Sequence, residues 1–222
     1  MEFAMSPPAL KRTSAILSLM AVACISACGG GGGGGGGSAA TPAPAPTPVA
    51  SAEPVLSPAP ISLTQGISLG TPTWVSGSSA TGGRGAPIGG VSCLVTEDYH
   101  VHAHLAVIKD GQALAIPAQI GLTGCAYEIH THDQSGILHV ETAAYHRLTL
   151  GQFFAVWGQP LSSTNVAGIT GLPIAVYVND GGTLSKYTGD IAEIELTRRR
   201  EITIVLGTAV KQIPSYQWDP AL

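Results

Sequence analysis

All seven histidines of the chain lie between His100 and His146. Their spacing says more than their number. His100, His102 and His104 alternate with Val101, Ala103 and Leu105, so on an extended strand the imidazoles share one face and the apolar side chains the other. A second group stands in His130-Thr131-His132-Asp133-Gln134-Ser135-Gly136-Ile137-Leu138-His139-Val140-Glu141. Asp133 first and Gly136 fourth suit a type I turn between strands over 127–132 and 137–142. If Gln134 and Ser135 are the central turn residues, opposed residues have numbers summing to 269. His130 then faces His139, Glu128 faces Glu141 and His132 faces Ile137, all on one side. Tyr127, Ile129, Thr131, Leu138 and Val140 project from the other side and suit a core.

Facing Cβ atoms in such a hairpin are about 5 Å apart, and next-but-one residues roughly 7 Å. Imidazoles at those distances reach a common ion through bonds of about 2.0–2.1 Å. The candidate metal ligands are therefore His100, His102, His104, His130, His132, His139 and Glu141; His146 falls outside the pattern. All of them meet only if the strand bearing His100–His104 lies near the hairpin. Imidazole and carboxylate without thioether favour Zn(II) or Cu(II). Met1, Met5 and Met20 are the three methionines, which argues against a Cu(I) carrier or a blue-copper site in the downstream region. An open coordination position would allow a metal-activated water, with Glu128 or Glu141 as general base of a hydrolase or hydratase. With no signature of a substrate pocket, the sequence leans toward a binding module rather than an enzyme. A surface interaction module without metal is the third reading.

The elements that must hold these residues are mostly strands. Lys109-Asp110-Gly111-Gln112 carries a hairpin signal after the first histidine strand. Thr149-Leu150-Gly151-Gln152 reads as a capping box before Phe153, Phe154 and Trp157 at helical spacing, and Gly158 and Pro160 end that helix. Ile174–Val178, Ile191–Leu196 and Glu201–Leu206 read as further strands, the last two joined by a solvated Thr197–Arg200 turn. The expected class is mainly β (α+β): antiparallel hairpins with one short helix, in a β-grasp-like ββαβββ order over the second half. A β-sandwich is the alternative. Cys93 and Cys125 each precede a histidine-bearing segment; a disulfide is the simpler reading in an oxidising compartment, thiolate metal ligation the other.

The upstream third concerns location. Lys11 and Arg12 precede a short apolar run, Ala15–Ala23, and Ile25-Ser26-Ala27-Cys28 resembles the lipobox of bacterial lipoproteins. That resemblance implies a signal peptide over 1–27 and lipidation of Cys28. Gly29 after the cysteine implies export to the outer membrane, on its periplasmic or surface face. The nine-glycine run Gly29–Gly37 and the Pro/Ala-rich stretch to Pro60 read as a tether over 28–60. Residues 61–92 read as a loosely ordered lead-in with Trp74 docking on the core, 93–211 as the histidine-rich β domain and 212–222 as a tail. The membrane, through the lipid, is the one partner this organisation names. A net charge of −4, with 11% charged residues, excludes a basic nucleic-acid binder.

Three blocks taken together carry a further resemblance: Tyr99-His100-Val101-His102-Ala103-His104-Leu105, the His-Thr-His-Asp-x-Ser-Gly block, and Thr149-Leu150-Gly151-Gln152-Phe153-Phe154 with Trp157-Gly158. They resemble a widespread group of secreted bacterial proteins without an assigned activity, over roughly residues 90–207. The resemblance implies one exported domain and adds nothing to the chemistry.

Overall fold

A computed structural model describes residues 52–80 and 82–222. The expected signal peptide, Cys28, the glycine run and most of the expected tether lie outside the described residues. In chain order the elements begin with β1 (Val55–Leu56), β2 (Ile61–Leu63), β3 (Thr71–Pro72) and the short turn α1 (Gly77–Ala80). Then come β4 (Tyr99–Lys109), β5 (Gln112–Ala115), β6 (Ile129–His130), β7 (Ile137–Thr142) and helix α2 (Leu150–Trp157). The last part holds β8 (Leu161–Ser162), β9 (Asn165–Val166), β10 (Ile169–Thr170), β11 (Ile174–Asp180), β12 (Thr183–Tyr187), β13 (Glu201–Leu206), β14 (Gln212–Ile213) and β15 (Tyr216–Trp218). The class is mainly β with one short helix of two turns, as the alternation of the sequence implies.

The main sheet runs β12-β11-β13-β4-β5-β3. β4 and β13 are parallel neighbours at its centre, with the β4–β5 and β11–β12 hairpins to either side. This is a β-grasp-like arrangement, but its first hairpin is β4–β5; the β6–β7 hairpin is an addition. β4 is 11 residues long and divides its far edge between two partners. Val107–Lys109 pair with β5, while Tyr99–His104 pair with β7, which pairs in turn with β6. A long β4 is thus what brings the two histidine segments together.

Alternation then sorts the side chains. Ala103, Leu105, Val107, Ile129, Leu138 and Val140 enter the main core with Phe153, Phe154 and Trp157 of α2. The helix is set by the expected capping box: Thr149 accepts from the Gln152 N–H and Gln152 accepts from the Thr149 N–H. Gly158, with φ 77°, closes it in the left-handed region that favours glycine. Burying Phe153, Phe154 and Trp157 contributes roughly 1.5–3 kcal/mol each by area.

Several expectations need correction. Ile191–Leu196 is not a strand. Ile191–Glu193 forms a 3-10 turn capped by the Asp190 carboxylate, which accepts from the Ala192 N–H at 3.0 Å. The buried residues Ile191, Ile194 and Leu196 start at a spacing of three, which a turn satisfies and alternation does not. β13 therefore has no hairpin partner before it and pairs with β11 and β4 instead. The Thr197–Arg200 turn is less solvated than expected: Arg199 donates to the Leu222 oxygen and Arg200 to the Asp180 carboxylate.

The lead-in over 61–92 is not loose, and 212–222 is not a free tail. β2 pairs with β15 in parallel, β3 with β5, and β1, from the end of the expected tether, with β14. Leu63, Ile137 and Leu222 are buried together beside Tyr216 and Trp218. The reason is that the sheet face opposite α2 is itself apolar at Ile137, Tyr177 and Val205, and needs cover. Trp74 does dock on the core, edge-on to Trp157, with its indole N–H donating to the Ala167 carbonyl at 2.9 Å. Cys93 and Cys125 form a disulfide, Cα atoms 5.8 Å apart, so neither thiol is a metal ligand. It ties the segment leading into β4 to the segment leading into β6.

Candidate metal centre

The β6–β7 register is the one the turn dictates: His130 opposes His139 and Ile129 opposes Val140. On the other edge of β7, His102 of β4 opposes His139, His100 opposes Glu141 and His104 opposes Ile137. One row therefore runs His130–His139–His102 straight across three strands, and a second pairs Glu141 with His100. The turn that fixes this is braced by the Asp133 carboxylate, which accepts from the Ser135 N–H and hydroxyl. Gly136, with φ 82°, lies so close to the Leu105 carbonyl that an added Cβ would stand 2.4 Å from it.

The ring nitrogens converge. His130 Nε2 and His132 Nε2 are 3.2 Å apart, His102 Nε2 and His139 Nδ1 3.2 Å, and His100 Nε2 and His102 Nε2 3.0 Å. Glu141 Oε1 lies 3.3 Å from His139 Nδ1, 3.4 Å from His100 Nε2 and 3.5 Å from His130 Nε2. Ligands about 2.0–2.1 Å from a tetrahedral ion are roughly 3.3–3.4 Å from one another. The donor separations, 3.0–3.5 Å, bracket the edge length of such a tetrahedron. His130, His132, His139 and Glu141 form one set able to hold an ion, and His100, His102 and His139 another.

Proton positions sharpen the point. The Tyr127 carbonyl can only accept, so the 2.8 Å contact at His130 Nδ1 places that ring's proton on Nδ1. The Glu97 carboxylate, 2.6 Å from His100 Nδ1, does the same for His100. In the neutral rings both Nε2 atoms then present lone pairs, which face Glu141 Oε1, another lone-pair donor, as well as the Nε2 atoms of His102 and His132. A cation between them removes that opposition. Carbonyl or carboxylate on one ring nitrogen and metal on the other is the usual outer-sphere support of a histidine ligand.

Burial keeps His102, His130 and His139 neutral. It pushes His102 and His130 down to about 4, and His139 down to about 2, with neighbouring histidines adding to the effect. Burial also raises Glu141, helped by the Glu97 charge. His130, His139, His102 and Glu141 are buried, while His132 is exposed at the rim.

Of the residues expected from sequence, His100, His102, His130, His132, His139 and Glu141 come together. His104 does not. Its Nε2–H donates to the Ser135 carbonyl at 2.9 Å, and its ring lies 4.0 Å from that of Tyr216. It belongs to the apolar cover, because its row on the sheet holds Ile137 rather than another ligand. Glu128 also stands apart: one oxygen accepts from the Ser92 N–H at 3.1 Å, and the other lies 3.8 Å from His146 Nε2. As a general base it has no place at the cluster. Glu97 was missed. Its position three residues before His100 was the available signal, but only a bend in the chain brings the two together.

No family model matches the chain, and no curated protein or solved structure matches it. The donors themselves define the class of site: a buried histidine–carboxylate cluster able to hold a metal ion.

Proposed function

We propose that this chain is an exported, lipid-anchored protein whose β domain binds zinc or copper and handles that metal in the periplasm or at the cell surface. The observation that carries the reading is the pair of Nε2 lone pairs on His100 and His130, fixed by Glu97 and the Tyr127 carbonyl, both aimed at Glu141 Oε1. Five imidazoles and one carboxylate suit Zn(II) or Cu(II). Export and anchoring are supported by the lipobox-like Ile25-Ser26-Ala27-Cys28, by the similarity of the domain's motifs to a group of secreted proteins, and by a disulfide suited to an oxidising compartment. The glycine run and Pro/Ala-rich stretch would hold the domain away from the membrane surface.

The same donors would serve a metal-dependent hydrolase or hydratase. A cleft of about 190 Å³ beside His100 and His102 is the observation that favours that second reading. The test is elemental analysis of the chain, purified without a polyhistidine tag and dialysed against zinc or copper. At least one tightly held ion per chain is expected. Chains that retain no ion would leave the interaction module. Turnover of ester, phosphate or carbon dioxide substrates by the loaded chain would favour the enzyme.

A further inference from the structure

The donor atoms are too many for one ion. An ion held by His130, His132, His139 and Glu141 has four protein ligands, which completes a tetrahedron. His100 and His102 are then left over. They are not placed as bystanders: their Nε2 atoms face each other at 3.0 Å, and His100 Nε2 faces Glu141 Oε1 at 3.4 Å. His102 Nε2 also approaches His139 Nδ1 at 3.2 Å, but one nitrogen lone pair serves only one ion. Glu141 differs, since a carboxylate has two oxygens and several lone pairs and can bridge. It sits between the two groups, opposite His100 in the register and beside His139 on its own strand.

We propose that the cluster holds two divalent transition-metal ions. The first takes His130, His132, His139 and Glu141; the second takes His100 and His102 and shares the Glu141 carboxylate. This rests on the metal-binding reading above and extends it. The two positions differ in kind. The first is saturated by protein. The second has three protein ligands and keeps one position for water or a substrate, as metal sites that do chemistry commonly do. His100 and His102 themselves line the cleft, whose other walls include Arg198, Pro220 and Leu222. Bridged ions about 3.5–4 Å apart act as paired clamps on oxygen ligands in other proteins.

Stoichiometry decides the matter. The full chain, free of a polyhistidine tag, is dialysed to equilibrium against zinc chloride, and bound zinc is counted by elemental analysis. Two ions per chain are expected, and one in the His100→Ala/His102→Ala double variant with unchanged circular dichroism. One ion in the unaltered chain overturns the second position and leaves the metal-binding reading intact. No ion in the unaltered chain overturns both. Two ions in the folded double variant, or none, overturn the assignment of ligands. Should the double variant unfold, His100→Gln replaces it, since that ring is partly exposed; selective weakening of one of two zinc-binding steps is then expected, and two unchanged steps would count against the proposal.

Discussion

His102 and His104 are two residues apart on β4, leave the sheet from the same face, and are both buried, at 6% and 1% exposure. Yet one stands in a cluster of ring nitrogens and the other is a packing residue. The difference lies in what stands across the strand and above it. His102 meets His139, while His104 meets Ile137 and is roofed by Tyr216, with Trp218 near its edge. Its one donor nitrogen is spent on the Ser135 carbonyl. Strand periodicity assigns a residue to a face; the neighbouring strand and the cover decide its chemistry.

The widest break in that comparison is a ligand deletion. His139 is central, within 3.3 Å of both His102 Nε2 and Glu141 Oε1. His139→Ala should weaken zinc binding by more than about 100-fold, beyond the range usual for loss of an outer-sphere partner. His104→Ala should change zinc affinity by less than about threefold and cost stability instead, by the roughly 1–3 kcal/mol of a buried polar group left unpaired. Competition against a chelator of known zinc affinity reads the first quantity, and denaturant unfolding the second. Equal losses of affinity in the two variants would abolish the distinction between the regions.

A smaller effect is expected at Glu97, which touches the cluster only through His100 Nδ1. Glu97→Ala removes the acceptor that holds that ring's proton away from Nε2. Zinc affinity should fall about 10–100-fold, the range found for such outer-sphere partners. Glu97→Gln keeps an acceptor and should recover much of the loss. If Glu97→Ala binds as the unaltered chain does, the His100 orientation does not depend on Glu97.

Much of this was legible in the residues, and the remainder failed for identifiable reasons. The turn at Asp133–Gly136 fixes the β6–β7 register, so the His130–His139 pair could be derived from counting alone. The capping box at Thr149 was likewise written locally, and the Cys93–Cys125 bridge followed from the expected compartment rather than from local spacing. The β4–β7 pairing was not written locally, because no short turn joins those strands. That pairing admitted His102 and excluded His104. The cover was also hidden: β2 and β15 are three residues each and lie at opposite ends of the described chain, so their contribution comes from pairing rather than propensity. Ile191–Leu196 misled because Ile194-Glu195-Leu196 alternates as a strand does, while the spacing of three between Ile191 and Ile194 belongs to a tight turn.

Acid sensitivity separates the two regions by the smallest margin and the most direct logic. Burial pushes His104 down to about 4 in the folded chain, from an ordinary value of 6.5. Above 6.5 the ring is neutral whether the chain is folded or not, and the full stability is present. Between 6.5 and 4 the unfolded chain takes up a proton that the folded chain refuses, so stability falls with pH. One such proton accounts for a slope of at most about 1.4 kcal/mol per pH unit. His102, His130 and His139 act in the same direction, and zinc adds to their share, because protonated imidazole cannot coordinate. His104 lies outside the cluster, so its share should be the same with and without zinc. His104→Leu should therefore lower the slope between pH 6.5 and 4 by up to one proton's worth in both forms, whatever it does to stability at pH 7. Denaturant unfolding across that range, with the disulfide intact, measures the slope apart from the offset. A slope altered only in the zinc-loaded chain would show that His104 is coupled to the ion after all.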